Sequence, residues 1–296
     1  MFQIKGGFDQ LPKAFEKFVE YDIIFNARVN RVEYGSNSLY APVTAYFTDS
    51  ADREIPVYGD VLLNTATATS TTFIEFSPRL PKEKYAAHRS VHYASATKIV
   101  LVFDRPFWED DGIVGGHSTT DLPSRMIYYP VHKFPSGKGV LLASYTWADD
   151  STKFLGLSDE DAIQSCLNDL AKIHGEHIRG LHRPELGFVK RWSADPYAIG
   201  PFVIFTPYQL RNIHDELSRP HENLYFAGEH TELPHAWIDT AMSSAIQAVA
   251  CIAHNDCYAS AADEADTEEK EDGGDEGHDD LISRLFPKHG SKHIHS

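Results

Sequence analysis

Cysteine is scarce: Cys166, Cys251 and Cys257 are the three in 296 residues, and they form neither a Cys-x-x-Cys pair nor a Cys/His set with metal-ligand spacing. No zinc site is therefore read from them. His278, His289, His293 and His295 crowd the far end, in or beside a run with nothing to fix their geometry, so a structural metal is not expected there either. Long apolar runs are absent too. Without eighteen consecutive apolar residues no membrane span is visible, and Met1 to Lys5 passes straight into Gly6-Gly7 with no cleavable signal peptide. No Asn-x-Ser/Thr acceptor occurs, which removes one mark of secretion without excluding it. Nor is there a basic stripe of the kind that displaces counterions from a duplex, so nucleic acid is not an expected partner.

What the chain has is a globular composition, 42% hydrophobic and 12% aromatic, enough to bury the core of one large or two ordinary domains. Its formal charge of −16 is lopsided: Asp263 to Asp280 holds eleven acids against one lysine, leaving the body only mildly acidic. With Gly273-Gly274 and no aromatic to bury, this stretch predicts a disordered acidic tail over residues 255–296, a solvated end of no specific role.

Periodicity predicts helices and strands in mixed order. Leu11, Phe15, Phe18 and Val19 fall at helical spacing with Pro12 near the start, a short amphipathic helix over residues 11–20. Tyr21 to Val32, Val43 to Thr48 and Val57 to Thr65 are rich in Ile, Val, Phe, Tyr and Thr between turn residues, and predict three strands. Val91 to Phe103 carries apolar or small residues on both parities, a long strand covered on both faces with Lys98 inside it. A strand over Val140 to Trp147, an amphipathic helix over Asp159 to Ile173 and a short strand over Phe202 to Phe205 follow. The last periodic element starts at Ile238, with Met242, Ala245, Ile246, Val249 and Ile252 on one side and Ser243, Ser244 and Gln247 on the other.

Chemistry concentrates at Asn223 to Glu229, an apolar strand ending in Gly228 and an acid, followed eight residues later by Trp237 and a helix. A glycine there lets a ligand approach the backbone, Glu229 can hold a hydroxyl, and a helix start offers N–H groups to an anion. Many ordinary strand-loop-helix joints share this outline. Lys98 is either an edge lysine reaching solvent or a site residue, because a buried ammonium needs a polar partner or water. Trp192, Tyr145 and Trp237 are either plain core or a wall for a planar ring.

The blocks Gly7-Phe8-Asp9-Gln10-Leu11-Pro12, Phe25-Asn26-Ala27-Arg28-Val29, Arg89-Ser90-Val91-His92-Tyr93 and Phe107-Trp108-Glu109-Asp110-Asp111-Gly112-Ile113 resemble successive segments of animal L-amino-acid oxidases. Ser118 to Arg125, Phe205-Thr206-Pro207-Tyr208-Gln209, Tyr225 to Glu229 and Trp237-Ile238-Asp239 continue the resemblance in the same order, over about residues 6–254. It implies an α/β (α+β) fold: part of a Rossmann-like FAD-binding domain, residues 7–90 and 218–254, and a mixed-sheet substrate-binding domain, residues 91–217. The implied activity is FAD-dependent oxidation of L-amino acids to 2-oxo acids, with ammonia and hydrogen peroxide released. The substrate is then an L-amino acid with a large apolar side chain, with oxygen as acceptor and a homodimer as the assembled form. The family home is secreted or lysosomal.

By motif, the resemblance implies that Val29 meets the adenine, Glu229 the ribityl chain, and Trp192 the isoalloxazine. Trp237, Ile238, Thr240 and Ala241 fall at the helix start facing the flavin, and Lys98 resembles the lysine that holds a water near it. Tyr145 and Trp237 match the aromatic pair bracketing the substrate, Ala236 stands where a backbone carbonyl receives the substrate amino group, and Phe202 lines the side-chain pocket. Two departures stand out. Ala236 replaces the family's usual glycine, and no Gly-x-Gly-x-x-Gly turn or substrate-carboxylate arginine of the family's amino-terminal half is present, so the sequence is expected to be a carboxy-terminal half, inactive alone. An amine or polyamine oxidase and a non-catalytic truncated product are the competing readings.

Overall fold

The computed structural model describes residue 4, residues 6–19 and residues 23–254; the acidic tail, Cys257 and the terminal histidines lie outside the described residues. The helices are α1 (Gln10–Val19), α2 (Ala68–Thr71), α3 (Lys82–Ser90), α4 (Ala148–Thr152), α5 (Asp159–His174), α6 (Gln209–Ser218) and α7 (Ile238–His254). The strands are β1 (Arg28–Tyr34), β2 (Val43–Thr48), β3 (Glu54–Gly59), β4 (Leu62–Asn64), β5 (Glu75–Ser77), β6 (Ala96–Phe103), β7 (His117–Thr119), β8 (Met126–Tyr128), β9 (Gly139–Trp147), β10 (Phe188–Arg191) and β11 (Leu224–Phe226).

They make three sheets. β1, β2 and β3 form an antiparallel meander that β5 joins in parallel, in the order β3-β2-β1-β5, while β11 pairs in parallel with β4. Val32, Tyr34, Val43, Phe76, Leu224 and Phe226 bury one common core, so the meander and the β4-β11 pair are two walls around the same apolar cluster. A second cluster, Ala68, Ala87, Val91, Val203 and Leu217, fastens α6 to α3.

The five-stranded sheet, ordered β10-β6-β9-β8-β7, holds the largest core. Ile99, Leu101 and Phe103 of β6 alternate onto the face covered by α5, where they meet Leu167 and Leu170. α5 starts sharply because Ser158 Oγ accepts the Asp161 N–H at 3.1 Å and three acids occupy its first turn, where the helix dipole favours negative charge. Asp169, buried on the same helix, accepts the N–H and the hydroxyl of Ser124 at 3.0 and 2.8 Å, which ties α5 to the entry of β8.

Between Ile99/Ser144 and Val100/Leu142 the β6-β9 register slips by one residue, leaving Ala143 as a β-bulge. Leu141 and Ala143 therefore pack towards α5, whereas Tyr145 and Trp147, of the same parity, come to lie opposite Lys98 and Ala96 on the other face. Lys190 of β10 is also opposite Lys98, so the far face carries lysines and aromatics side by side.

Several expectations need correcting. The strand expected over Val91 to Phe103 starts only at Ala96, because α3 runs on to Ser90 and Tyr93 makes a lone bridge to Val203. Both faces of β6 are largely covered, as expected, and Lys98 is half-buried on the face away from α5, in line with the buried Ala96 and Val102. Val57 to Thr65 is broken at Gly59 into β3 and β4, which belong to different sheets. Phe202 to Phe205 contributes that single bridge rather than a strand. On α7 the buried residues are Thr240, Ser244, Ala248 and Cys251, while Met242, Ile246 and Val249 are exposed. Small residues, not the large apolar ones, allow this helix to approach the turn beneath it.

Candidate functional site

The apolar strand β11 runs beside β4 and extends its pairing when Ala227 N–H donates to the Asn64 carbonyl at 3.0 Å. The chain then turns at Gly228, whose φ of 143° and close approach leave no room for a side chain: a Cβ would fall 2.6 Å from the His230 ring. Gly228 N–H donates to Ser244 Oγ at 2.9 Å, and that hydroxyl donates to the Ala241 carbonyl at 2.8 Å. One serine thereby sets the first turns of α7 against the end of β11.

Glu229 follows directly. Its carboxylate accepts the Val203 N–H at 3.1 and 3.3 Å and the Ala236 N–H at 2.9 Å. Burial pushes its pKa up, while the Ala236 and Val203 N–H groups pull it back. Two donors do not exhaust the roughly four acceptor positions of a carboxylate, so Glu229 retains capacity for a ligand hydroxyl. Ala236 has φ +70°, the left-handed region that favours glycine, which explains why a glycine suits this position better than the alanine present. Trp237 and Ile238 stand exposed at the head of α7, whose first N–H groups have no intrahelical acceptor, and Thr240 is buried one turn in beside the half-buried Ala241.

A row of side chains leads from the five-stranded sheet to this point. Lys98 Nζ lies 4.6 Å from the centre of the Tyr145 ring, and burial lowers its pKa. Tyr145 meets Trp147 edge-on at 5.3 Å, Trp147 meets Phe202 at 6.0 Å, and the next residue, Val203, donates to Glu229. Trp192 lies on the neighbouring strand's exit, with Lys190 Nζ 4.7 Å from its ring. Lys190 is bonded to Asp195, a contact that with the Ala198 and Tyr197 N–H groups holds the Asp195 carboxyl at about 2. Val29 belongs to a different wall. It lines an open groove of about 710 Å³ between β1 and β4, shared with Leu63, Asn64, Phe73 and Tyr197.

Glu229 and Ala236 are thus linked through the Val203 N–H to the row of Phe202, Trp147, Tyr145 and Lys98, Trp237 follows Ala236 in the chain, and Val29 lines a groove shared with β4. Trp147 was missed from the sequence, although its parity with Tyr145 signals the shared face. The Val203 N–H and His235 were missed as well, and a backbone donor leaves no mark in a sequence. Among the described residues no group of three or more His, Cys, Asp or Glu is arranged to hold a metal ion, and no helix is long and apolar enough to cross a membrane.

A strand-Gly-Glu turn under a helix start thus lies beside an aromatic row on a sheet whose pairs are all antiparallel, not mixed as expected. Over residues 1–253 the chain matches the flavin containing amine oxidoreductases, and it belongs to that family. Its fold resembles cyclohexylamine oxidase from Brevibacterium oxydans (TM-score 0.66, 17% identity, 84% of this chain and 53% of that one) and a putrescine oxidase variant (TM-score 0.69, 17% identity, the same coverage). In sequence it is similar to L-amino-acid oxidases: 46% identical to that of Siganus canaliculatus over 249 residues, and 43% identical to that of Crotalus adamanteus over 251. These alignments take in 83% of this chain but 46% and 47% of the relatives, so the chain spans about half the length of the curated relatives it matches.

Proposed function

We propose that this chain supplies part of the active site of an FAD-dependent L-amino-acid oxidase. The observation that carries the reading is the row Lys98, Tyr145, Trp147 and Phe202, whose chain neighbour Val203 donates to Glu229, which in turn holds the Ala236 N–H just ahead of Trp237. The residues suit FAD: Glu229 has spare acceptor capacity for a ribityl hydroxyl, the head of α7 offers the Ile238 and Thr240 N–H groups to the pyrimidine edge with Ala241 beside them, and Val29 faces a groove of adenine-compatible, largely apolar lining. FAD bound there would supply two-electron oxidation of the α-carbon–nitrogen bond with oxygen as final acceptor, giving hydrogen peroxide and an imine that water hydrolyses to the 2-oxo acid and ammonia.

The chain's own side chains do the placing. Tyr145 and Trp237 confine the α-carbon, Trp192 flanks the flavin ring, the Ala236 carbonyl accepts a hydrogen bond from the substrate amino group, and Lys98, whose pKa burial lowers, orders water beside the reacting face. Phe202 against Trp147 favours large apolar side chains, because such a wall desolvates a charged one without pairing it. The same reading carries the division into a flavin unit, residues 7–90 and 218–254, and a substrate unit, residues 91–217, with α6 as the seam between them since it packs on α3. It also carries the homodimer and a secreted or lysosomal home.

The 296 residues by themselves are expected to retain little flavin, because they contain no Gly-x-Gly-x-x-Gly turn for the two phosphates. Flavin absorbance after removal of free cofactor measures this. With the amino-terminal portion of a relative supplied, peroxide release should favour L-leucine and L-phenylalanine over L-aspartate and L-lysine. Turnover of cyclohexylamine in preference to any amino acid would refute the assignment.

A further inference from the structure

The loop from Glu229 to Trp237 is fastened to itself on both sides of one peptide. His235 Nδ1 lies 2.7 Å from the backbone oxygen of Glu229, and the very next N–H, that of Ala236, donates to the Glu229 carboxylate at 2.9 Å. A carbonyl oxygen only accepts, so Nδ1 carries the proton; in the neutral ring Nε2 is then an acceptor. Nε2 is buried without a hydrogen-bond partner, which a bare acceptor tolerates better than an N–H donor. The ring stands edge-on to Phe205 at 4.3 Å, with Nδ1 4.0 Å from Glu229 Oε2. Ala236, whose N–H makes the second tie, has φ +70°, a conformation that an alanine keeps only when its surroundings enforce it.

We propose that His235 is a positioning residue. As the neutral Nδ1–H tautomer it locks the Glu229–Trp237 loop, so that the Ala236 carbonyl and the Trp237 ring hold one attitude towards the substrate amino group. The assignment of that substrate rests on the L-amino-acid oxidase reading, but the lock itself does not. Its action is indirect: His235 touches Glu229 and Phe205, and through the loop it fixes Ala236 and Trp237.

Two substitutions separate the hydrogen bond from the packing. His235→Phe keeps a ring on Phe205 and loses the donor; His235→Asn keeps a donor in the place of Nδ1 and loses the ring. In the 296-residue chain, nitrogen chemical shifts should show the Nδ1–H tautomer for His235, and hydrogen exchange at the Ala236 amide should quicken at least threefold in His235→Phe while staying within threefold in His235→Asn. In the flavin-loaded enzyme, kcat for L-leucine should fall about tenfold in His235→Phe and recover in His235→Asn. An Nε2–H tautomer, an acceleration below threefold in His235→Phe, or faster exchange in His235→Asn than in His235→Phe would overturn the proposal, the last by showing that packing alone matters. If His235→Phe does not fold, the tautomer and the asparagine variant decide. Absence of peroxide from every amino acid would instead strike the oxidase reading and leave the exchange result to stand on its own.

Discussion

The two sides of this molecule treat apolar surface in opposite ways. Around the five-stranded sheet, Phe103, Phe107, Ile127, Leu141 and Leu170 are at most 1% exposed, and α5 packs across β10, β6 and β9 on the inner face. Around the meander and the β4-β11 pair, by contrast, Phe73 is 65% and Trp237 62% exposed, and Val29, Ile238 and Met242 also face outwards. Polar groups divide in the same sense: Asp169 and Ser124 satisfy one another inside the first region, while Glu229 and the head of α7 in the second keep unused hydrogen-bonding capacity. One side is a finished support, and the other is a receiving surface.

The sharpest way to break that contrast is to truncate one large side chain on each side. Leu170→Ala removes packing from a closed core and should cost about 3–4 kcal/mol, whereas Phe73→Ala should change stability by less than about 1 kcal/mol in the absence of ligand. Urea denaturation of both variants measures the difference, and equal losses would show that the second region is also a closed core.

Acid should separate the two sides next. His88 and His230 are buried on the receiving side, where burial lowers their pKa values to about 3 and about 4 from 6.5, and His88 has no hydrogen-bond partner on either nitrogen. Both fold as neutral rings, so the stability they leave intact above pH 6.5 is lost as pH falls towards 4, by several kcal/mol at about 1.4 kcal/mol per unit. Lys84, stacked 4.1 Å from the Phe226 ring, is lowered by burial to about 7 from 10.5, so stability also declines as pH falls from 10.5 to 7. Hydrogen exchange at pH 5 should therefore loosen α3, β11 and the Glu229 turn before β6 and β9. His88→Phe should flatten that acid limb; an unchanged limb would remove His88 from the account.

The smallest expected effect is at Ala236. Ala236→Gly relieves a left-handed alanine worth about 1–2 kcal/mol, offset by the entropy of an added glycine, for a net gain below about 1 kcal/mol in thermal or urea unfolding. A loss of stability would mean that the loop does not hold the conformation described.

Legibility followed periodicity. β2 and α5 are readable because their alternation or 3.6-residue spacing is long and their turns are marked, and the expected bounds differ from those observed by a residue at most. α7 is readable in extent but not in orientation, because its contact with Gly228 selects Thr240, Ser244 and Ala248 over larger side chains, a choice that hydrophobic patterning inverts. Of the site, Glu229, Trp237 and Tyr145 stand out as residue types in motifs. The closure of Glu229 by Val203 spans 26 positions and uses a backbone N–H that any residue but proline supplies, so nothing in the sequence announces it.

The bulge at Ala143 can be regarded as a phase shift in a two-beat code. Upstream of it, odd-numbered residues of β9 belong to the core; downstream, odd-numbered residues belong to the aromatic row, and one strand serves both without changing direction. A strand that kept this residue and ran straight through it, without the bulge, would carry Tyr145 and Trp147 onto the face of Leu141 and into the space of α5, replacing the support with the contents of the pocket. An alanine with no polar atom in its side chain thus decides which face of the sheet can meet a substrate.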